Sequence, residues 1–281
     1  MGSLMVKFFL HPPSGNLSSE LRFNLEAVKK ADSLGIDGFL LPDHYMTPQS
    51  DWTLDAWSTL AYFAAATSHI RLGTLVTPIP LRPPQLLAKV VSTVDVLSEG
   101  RCFLGVGAGW SQKEFEGYSQ WDKPGIRIEK VDEGIALIKR LWTEPRVDFE
   151  GKYYRVKGAV LLPKPVQKPY QPLLFGGRGI RMLRLAGKYA DICFIPEENP
   201  KKFSKAKDEV ARAAKEQNRT DIPSFACLVS IRTMEENDVF RLKLEKATTF
   251  GAYYVVAGVE RKQDYLQFVE FLAKDIMPSF R

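Results

Sequence analysis

The chain has 281 residues, 45% of them hydrophobic and 26% charged, a balance that supports a sizeable core and excludes a largely disordered protein. The formal net charge is +6, but acidic residues lie between the lysines and arginines, which argues against nucleic-acid binding and suits a small anionic ligand. The chain has only three histidines and three scattered cysteines, so we expect no metal site and no disulfides. It contains no run of about 18 apolar residues, the length that a membrane-spanning helix needs. We therefore expect a cytoplasmic protein with reduced thiols.

Short apolar runs alternate with longer amphipathic segments along nearly the whole chain. The apolar runs predict strands at 5–10, 36–41, 70–76, 101–106, 173–175, 191–195, 224–231 and 253–256. The amphipathic segments predict helices at 19–34, 53–67, 84–97, 127–142, 180–189, 201–216, 237–250 and 263–274. Ser18 or Ser19 can cap the first helix, and Gly35 follows it as a stop signal.

The alternation is interrupted once, after the fourth helix. Segment 147–156 places Gly151 between two polar-aromatic arms and predicts a small hairpin, and 158–172 carries four prolines and predicts an extended excursion. Eight continuous apolar strands alternating with eight helices predict an α/β protein, a (β/α)8 TIM barrel with insertions, as one domain over 1–281. A doubly wound open sheet is the alternative, but it needs GxGxxG after the first strand, where this chain has HPPSGN.

Glycine-rich or polar segments follow five of the predicted strands. They are PDHY at 42–45, VTP at 76–78, GAGW at 107–110, GGRG at 176–179 and PEE at 196–198. Because the active site of such a barrel lies at the carboxyl ends of its strands, these segments are expected to share one rim.

The most informative of these segments is the loop after the fifth strand. It consists of Gly176, Gly177, Arg178 and Gly179. Glycines let the backbone approach a ligand, and a helix that begins near Ile180 points free N–H groups and a partial positive charge outward. Together with Arg178 and Arg181, this predicts a phosphate site. A tight strand-to-helix turn without a ligand would favour glycine equally, so the loop alone leaves both interpretations open.

A second glycine-rich turn follows the fourth strand. Gly107, Ala108 and Gly109 would let a flat ring lie against the backbone, although a GxG pattern alone is weak. His44 could donate to a ring or transfer a proton, or it could be a structural hydrogen-bonding residue. Asp43 could orient His44 or accept a hydrogen bond from a ring nitrogen, or it could cap the following segment.

Three aromatic residues accompany these segments. Tyr45, Trp110 and Tyr118 could form the wall of a substrate pocket, or they could fill the core. No GxSxG, HExxH or P-loop pattern is present. None of the three cysteines has a partner residue that would make it a nucleophile.

With these segments the chain resembles the bacterial-luciferase-like superfamily of flavin- and F420-dependent oxidoreductases. The strongest marks are GFLLPDHYM at 38–46, RLGTLVTPIPLRPPQLLAKVVSTVDVLSEGRCFLGVGAGW at 71–110 and LLFGGRGIRMLRLAGKYAD at 173–191. The segment LWTEPRVDFEGKYYRVKGAVLLPKPVQKP at 141–169 is similar to the hairpin insertion of that family. The resemblance covers essentially the whole sequence.

The resemblance implies a barrel with insertions and a tricyclic cofactor that lies across the strand ends, with its phosphate at 176–179. It also implies a non-proline cis peptide at the end of the third strand, within Leu75, Val76 and Thr77, and we assign it to the bond between Leu75 and Val76. Members of the family commonly dimerise, so a homodimer is expected.

The Asp43–His44 pair and the GAGW turn are similar to the F420-dependent branch. In F420-dependent sugar-phosphate dehydrogenases a glutamate follows the second glycine of that turn, whereas this chain has Trp110, which argues against the sugar-phosphate reaction. The resemblance therefore implies hydride transfer between C5 of the deazaflavin and another small organic substrate, with His44 as the proton-transfer residue and Asp43 orienting it.

Two alternatives remain open. One is an FMN-dependent monooxygenase that uses O2 and reduced flavin supplied by a partner reductase. The other is a flavin-binding protein without catalysis.

Overall fold

The computed structural model describes residues 5–13, 21–47, 53–196 and 199–280. Eight parallel strands form the barrel: β1 (Lys7–Leu10), β2 (Gly38–Leu41), β3 (Arg71–Thr74), β4 (Cys102–Gly107), β5 (Leu173–Gly176), β6 (Ile192–Phe194), β7 (Ser224–Ile231) and β8 (Tyr254–Val259). The helices of these ranges are α1 (Leu21–Ser33), α2 (Ala56–Ala66), α3 (Pro84–Leu97), α4 (Gln112–Tyr118), α5 (Pro124–Thr143), α6 (Ile180–Tyr189), α7 (Pro200–Glu216), α8 (Asn237–Thr249) and α9 (Tyr265–Phe271).

The sheet closes on itself. Strand β1 pairs with both β2 and β8, and β3 pairs with β4, so that each barrel strand has two parallel neighbours. The predicted (β/α)8 barrel is confirmed, and the open doubly wound sheet is excluded because an open sheet would leave two edge strands unpaired.

The barrel interior is filled with side chains. A Cβ on Gly38 would lie 2.5 Å from the ring of Phe9, and one on Gly73 would lie 2.4 Å from that of Phe103, so these positions leave room for two stacked rings 5.5 Å apart. The interior cluster consists of Phe9, Leu40, Phe103, Leu174, Ile192, Phe194, Ala226 and Val256. A ligand must therefore bind at the rim.

The end of the third strand differs from the sequence prediction. The predicted strand 70–76 stops at Thr74, and pairing with β4 resumes at Thr77–Pro78. Between them, the peptide bond that joins Leu75 and Val76 is cis, as the resemblance implied.

Other elements also differ from the prediction. Helix α4 was not predicted, because its sequence QKEFEGY is short and follows a glycine-rich turn. The last predicted helix is divided into α9 and a π-helical turn, Leu272–Ile276. The proposed caps Ser18 and Ser19 lie outside the described residues, and the described part of the first helix begins at Leu21.

The insertion folds as expected. Strands Val147–Glu150 and Arg155–Ala159 form the predicted antiparallel hairpin. The excursion that follows is attached to α3, since the carboxylate of Asp95 accepts hydrogen bonds from Val166 N at 2.7 Å and from Gln167 Nε2 at 2.7 Å. This segment therefore packs on the barrel near its amino-terminal end, away from the rim.

The cysteines and the helices bear on two further predictions. The three cysteines are buried thiols that form no disulfide with one another, as predicted. Among the helices of the described ranges, none is long and apolar enough to cross a membrane.

His11, directly after β1, gives a testable pH dependence. Burial lowers the pKa of its imidazole from 6.5 to about 4, and a hydrogen bond to Pro12 opposes the shift only partly. The neutral form is therefore favoured in the folded state, and stability is lost as pH falls from 6.5 towards 4. We expect His11 to remove about 1–3 kcal/mol of unfolding free energy over this interval.

Urea unfolding of the wild type and the His11→Gln variant at about pH 7 and pH 4.5 checks this expectation. The wild type should lose more stability than the variant on acidification. An identical pH dependence of the two proteins would contradict the assigned role of His11.

Candidate active site

A cavity of about 340 Å³ opens at the carboxyl ends of the strands. Its walls come from the segments after β2, β3, β4, β5 and β6, which confirms that these segments share one rim. The lining residues are His44, Leu75, Val76, Pro78, Gly109, Trp110, Gly176, Gly177, Phe194 and Pro196. Of the described side chains that line it, His44 alone carries a group that can transfer a proton, and none is a lysine, arginine or carboxylate.

The side chain of Val76 forms the floor of this cavity. A Cβ on Gly107 would lie 2.4 Å from Val76 Cγ2, and a Cβ on Gly176 would lie 3.0 Å from Val76 Cγ1. Glycine at the ends of β4 and β5 therefore gives Val76 room to project between the two strands. The result is an apolar surface at the mouth of the barrel that could support a flat ring.

His44 is held by a residue that sequence reasoning missed. Its Nδ1 lies 3.0 Å from Oε2 and 3.2 Å from Oε1 of Glu114, and the same carboxylate accepts from the backbone N–H of Tyr45 at 2.6 Å. Glu114 is fully buried, whereas 19% of the His44 side chain is exposed. A carboxylate accepts hydrogen bonds, so this contact assigns a proton to Nδ1. Within the described part of the chain Nε2 has no hydrogen-bond partner, which leaves it to face a ligand.

The prediction that Asp43 orients His44 is wrong. Consecutive side chains of an extended segment point in opposite directions, and Asp43 points away from the cavity. Its carboxylate accepts from Arg82 Nη2 at 2.6 Å and Nε at 2.9 Å, and from Thr77 Oγ1 at 2.8 Å. Asp43 is buried and is not among the described residues that line the cavity, and its contact with a cofactor ring nitrogen stays a prediction.

Asp43 and Arg82 form a buried ion pair under the rim. Burial raises the pKa of the Asp43 carboxyl, and the charge of Arg82 opposes that shift. Burial alone would lower the pKa of Arg82, but Asp43 and Asp55 raise it above its usual value. Arg82 also donates to Asp55 at 2.5 Å and lies 4.8 Å above the ring of Tyr45. The network fixes the segment that carries His44.

The three predicted pocket aromatics take different places. Trp110 lines the cavity and meets the ring of His44 edge to face, with 5.6 Å between ring centroids. Tyr45 and Tyr118 pack on each other at 4.9 Å, outside the set of residues that lines the cavity. Trp110 is 62% exposed, so it forms the outer edge of the site.

The glycine loop is more open than a tight turn requires. Gly179 is the N-cap of α6 with φ of −74°, a value that any residue adopts, and a Cβ there would meet nothing within 4 Å. No side chain caps the first turn of α6. Glycine at 179 is therefore not required by the fold, but it leaves the N–H groups of this turn accessible, as an anion needs. This observation favours the phosphate interpretation over the turn without a ligand.

The other predicted cofactor residues divide into two groups. Leu75, Val76, Gly109, Gly176 and Gly177 line the cavity. Thr77, Gly107, Ala108, Arg178, Gly179 and Ile180 lie beside it. Glu197 and Glu198, of the rim segment after β6, lie outside the described residues.

A signal for Glu114 was present in the sequence. Ser111 and Glu114 have the spacing of a capping box, and Ser111 Oγ does accept from Glu114 N at 3.4 Å at the start of α4. In a capping box the glutamate side chain returns to the cap residue, whereas here it turns to His44. No comparable sequence pattern predicts that Arg82 contacts Asp43.

The chain has relatives among known proteins. The family described as luciferase-like monooxygenase matches residues 2–264. The F420-dependent glucose-6-phosphate dehydrogenase of Microbacterium testaceum is 34% identical over 164 residues, 57% of this chain and 48% of that protein. The 5,10-methylenetetrahydromethanopterin reductase of Archaeoglobus fulgidus is 30% identical over 236 residues, 82% of this chain and 65% of that protein. The chain thus spans about half to two thirds of the length of these relatives.

Two solved structures share the fold. An F420-dependent secondary alcohol dehydrogenase in complex with an F420-acetone adduct has a TM-score of 0.84 and 18% identity, covering 98% of this chain and 99% of its own. The oxygenating constituent of 3,6-diketocamphane monooxygenase from Pseudomonas putida, in complex with FMN, has a TM-score of 0.80 and 16% identity, covering 99% of each chain. At these identities the likeness shows the fold alone.

Proposed function

Because the chain belongs to the luciferase-like monooxygenase family, we propose that it is an F420-dependent oxidoreductase that transfers a hydride between C5 of the deazaflavin and a small organic substrate. The observation that carries the proposal is one rim on which an open helix N-terminus, an apolar floor and a histidine held by a buried carboxylate come together. Relatives named as F420-dependent support the choice of cofactor.

The residues of the rim fit a cofactor that has a flat ring and a phosphate. The N–H groups of the first turn of α6, behind Gly179, would hold the phosphate, with Arg178 and Arg181 adding positive charge. Val76 and the glycines beside it would support one face of the ring. When bound, F420 supplies a hydride acceptor or donor at C5 of its ring.

His44 would exchange the proton that accompanies the hydride. Since Glu114 accepts from Nδ1, the second ring nitrogen can take a proton from a substrate hydroxyl or return one to a carbonyl oxygen. Glu114 acts as a positioning residue that fixes the orientation of the ring. The apolar walls of the cavity limit access of water to the reacting atoms.

We do not propose glucose 6-phosphate, the substrate named for the Microbacterium relative, as the substrate of this protein. Trp110 stands where the sugar-phosphate dehydrogenases carry their acidic residue, and no cationic side chain is among the described residues that line the cavity. These two features favour an uncharged substrate, because a second phosphate in this cavity would be desolvated without a counter-charge.

The FMN-dependent monooxygenase is the second candidate. It is favoured by the FMN complex that shares this fold. In that case the rim would hold the phosphate of FMN, and a partner reductase would supply the reduced flavin.

We further propose that the protein acts as a homodimer in the cytoplasm. Exposed apolar side chains on α2 and α3, namely Tyr62, Leu86 and Leu97, support contact with a second copy. Three buried cysteines that form no disulfide with one another are in keeping with a reducing compartment.

Side-by-side titration with F420 and FMN, followed by fluorescence, tests the proposed function. We expect F420 to bind at least about tenfold more tightly than FMN, a difference of about 1.4 kcal/mol. A preference for FMN of the same size would support the monooxygenase, and binding of neither cofactor would contradict both candidates.

A further inference from the structure

A second cavity, of about 350 Å³, lies beside the glycine loop. The described residues that line it come from the loop and the start of α6, from the end of β6 and from α7, and they include the cations Arg178, Lys202 and Lys205. Resting on the proposed function, we propose that this cavity binds a flexible polyanionic tail that continues from the phosphate of the cofactor, namely the oligoglutamate tail of F420.

The charge of the lining favours an anion. Among the described residues of the lining, three side chains are cationic and one, Glu209, is acidic, and Glu209 is already paired with two arginines outside the lining. Arg184 Nε lies 3.2 Å from Glu209 Oε1, and Arg212 bonds the other oxygen. The negative charge of Glu209 is therefore compensated by arginines that do not line the cavity.

The site does not depend on a helix terminus. The N-terminus of α7 is already capped, because Asn199 Oδ1 accepts from the N–H groups of Lys201 at 3.0 Å and Lys202 at 3.3 Å. The attraction for an anion comes from side chains instead, from Arg178 in the loop before α6 and from Lys202 and Lys205 on α7.

The other described residues of the lining are apolar. Ile180, Leu183, Ile195 and Ala206 lie between the cations, and Ile180 is 60% exposed although it is large and hydrophobic. An oligoglutamate chain alternates methylene groups with carboxylates. Its methylene groups could cover Ile180 while its carboxylates reach the cations, so both parts of the lining would be used.

The position of Arg178 connects the two cavities. Gly176 and Gly177 line the cavity at the rim, and Arg178, the next residue, lines the second cavity. If a ligand crosses this loop and places its phosphate at the start of α6, the part of the ligand beyond the phosphate would lie in the second cavity. FMN ends at its phosphate and cannot do so, whereas F420 continues through lactate to glutamates. The second cavity therefore favours F420.

Fluorescence titrations of three ligands test the proposal: F420 with its oligoglutamate tail, the tail-free form that ends at the lactyl group, and FMN. The variants are Lys202→Gln/Lys205→Gln and, as control, Lys215→Gln, an exposed lysine of α7 that does not line the cavity. We expect the double variant to weaken binding of tailed F420 by roughly three- to tenfold and to leave the tail-free form unchanged. The difference should shrink as salt is raised, and the control should bind like the wild type.

Equal affinity of wild type for the tailed and tail-free forms, or equal weakening of both in the double variant, would overturn the tail site while leaving the F420 function intact. Failure of both F420 forms to bind the wild type, with FMN bound tightly, would overturn the proposed function and the tail site together. The two failures are therefore distinguishable in the wild-type titration, without any measurement of activity.

Discussion

Replacement of His44 by glutamine is expected to lower the rate of hydride transfer by about 10²–10⁴-fold, while the affinity for F420 changes little. Among the described residues that line the cavity at the rim, His44 alone carries a group that can transfer a proton. Glutamine keeps a polar group of similar length but cannot accept and release a proton near neutral pH. The rate is measured by stopped-flow reduction of bound F420, with the alcohol that reacts fastest with wild type in a panel of small alcohols.

Glu114→Gln is the informative companion to that variant. An amide can still contact Nδ1, but its NH2 group can also turn towards the ring, so it no longer fixes the proton on Nδ1. We expect a smaller rate loss than for His44→Gln, with kcat reduced while KM and the affinity for F420 stay near those of wild type, whereas a merely structural role would show as weaker cofactor binding as well. A His44→Gln variant that keeps more than about a tenth of the wild-type rate would contradict the assigned role.

Replacement of Arg82 by methionine should lower the free energy of unfolding by about 3–5 kcal/mol. It leaves the carboxylate of Asp43, whose side chain is 1% exposed, buried without a counter-charge. The double variant Asp43→Asn/Arg82→Met removes both charges and should recover much of the loss. Urea unfolding of the three proteins measures the difference.

Asp55→Asn is the matched control, because Asp55 bonds the same guanidinium but its side chain is 36% exposed. Burial tends to raise the pKa of Asp55, but its hydrogen bond to Arg82 lowers the pKa below the usual value. Its contribution is therefore present above the unfolded pKa and lost as pH falls, and it should amount to about 1 kcal/mol or less. A cost for Arg82→Met that is no larger than the cost for Asp55→Asn would contradict the buried ion pair.

The barrel could be predicted from the sequence because its strands are buried on both faces and its helices carry one apolar side. Helices Pro84–Leu97 and Ile180–Tyr189 and strand Ser224–Ile231 have the predicted bounds. The alternation also placed the rim segments together, since parallel strands must end on one face.

The partners of the rim residues could not be predicted in this way. Asp43 precedes His44 directly, which suggested that the two side chains interact, but the extended backbone turns them apart. Their actual partners, Arg82 and Glu114, lie 39 and 70 residues further along the chain. Contacts over such distances depend on the closed barrel, and local pattern does not encode them.

The most direct test of the account is a crystal structure of the protein with F420 bound. We expect the phosphate of the cofactor about 3 Å from backbone N–H groups at the start of α6. The deazaflavin ring should lie against Leu75 and Val76, on the side of the cavity where His44 stands. A phosphate bound away from α6, or a ring placed out of reach of His44, would contradict the assignment of this rim as the active site.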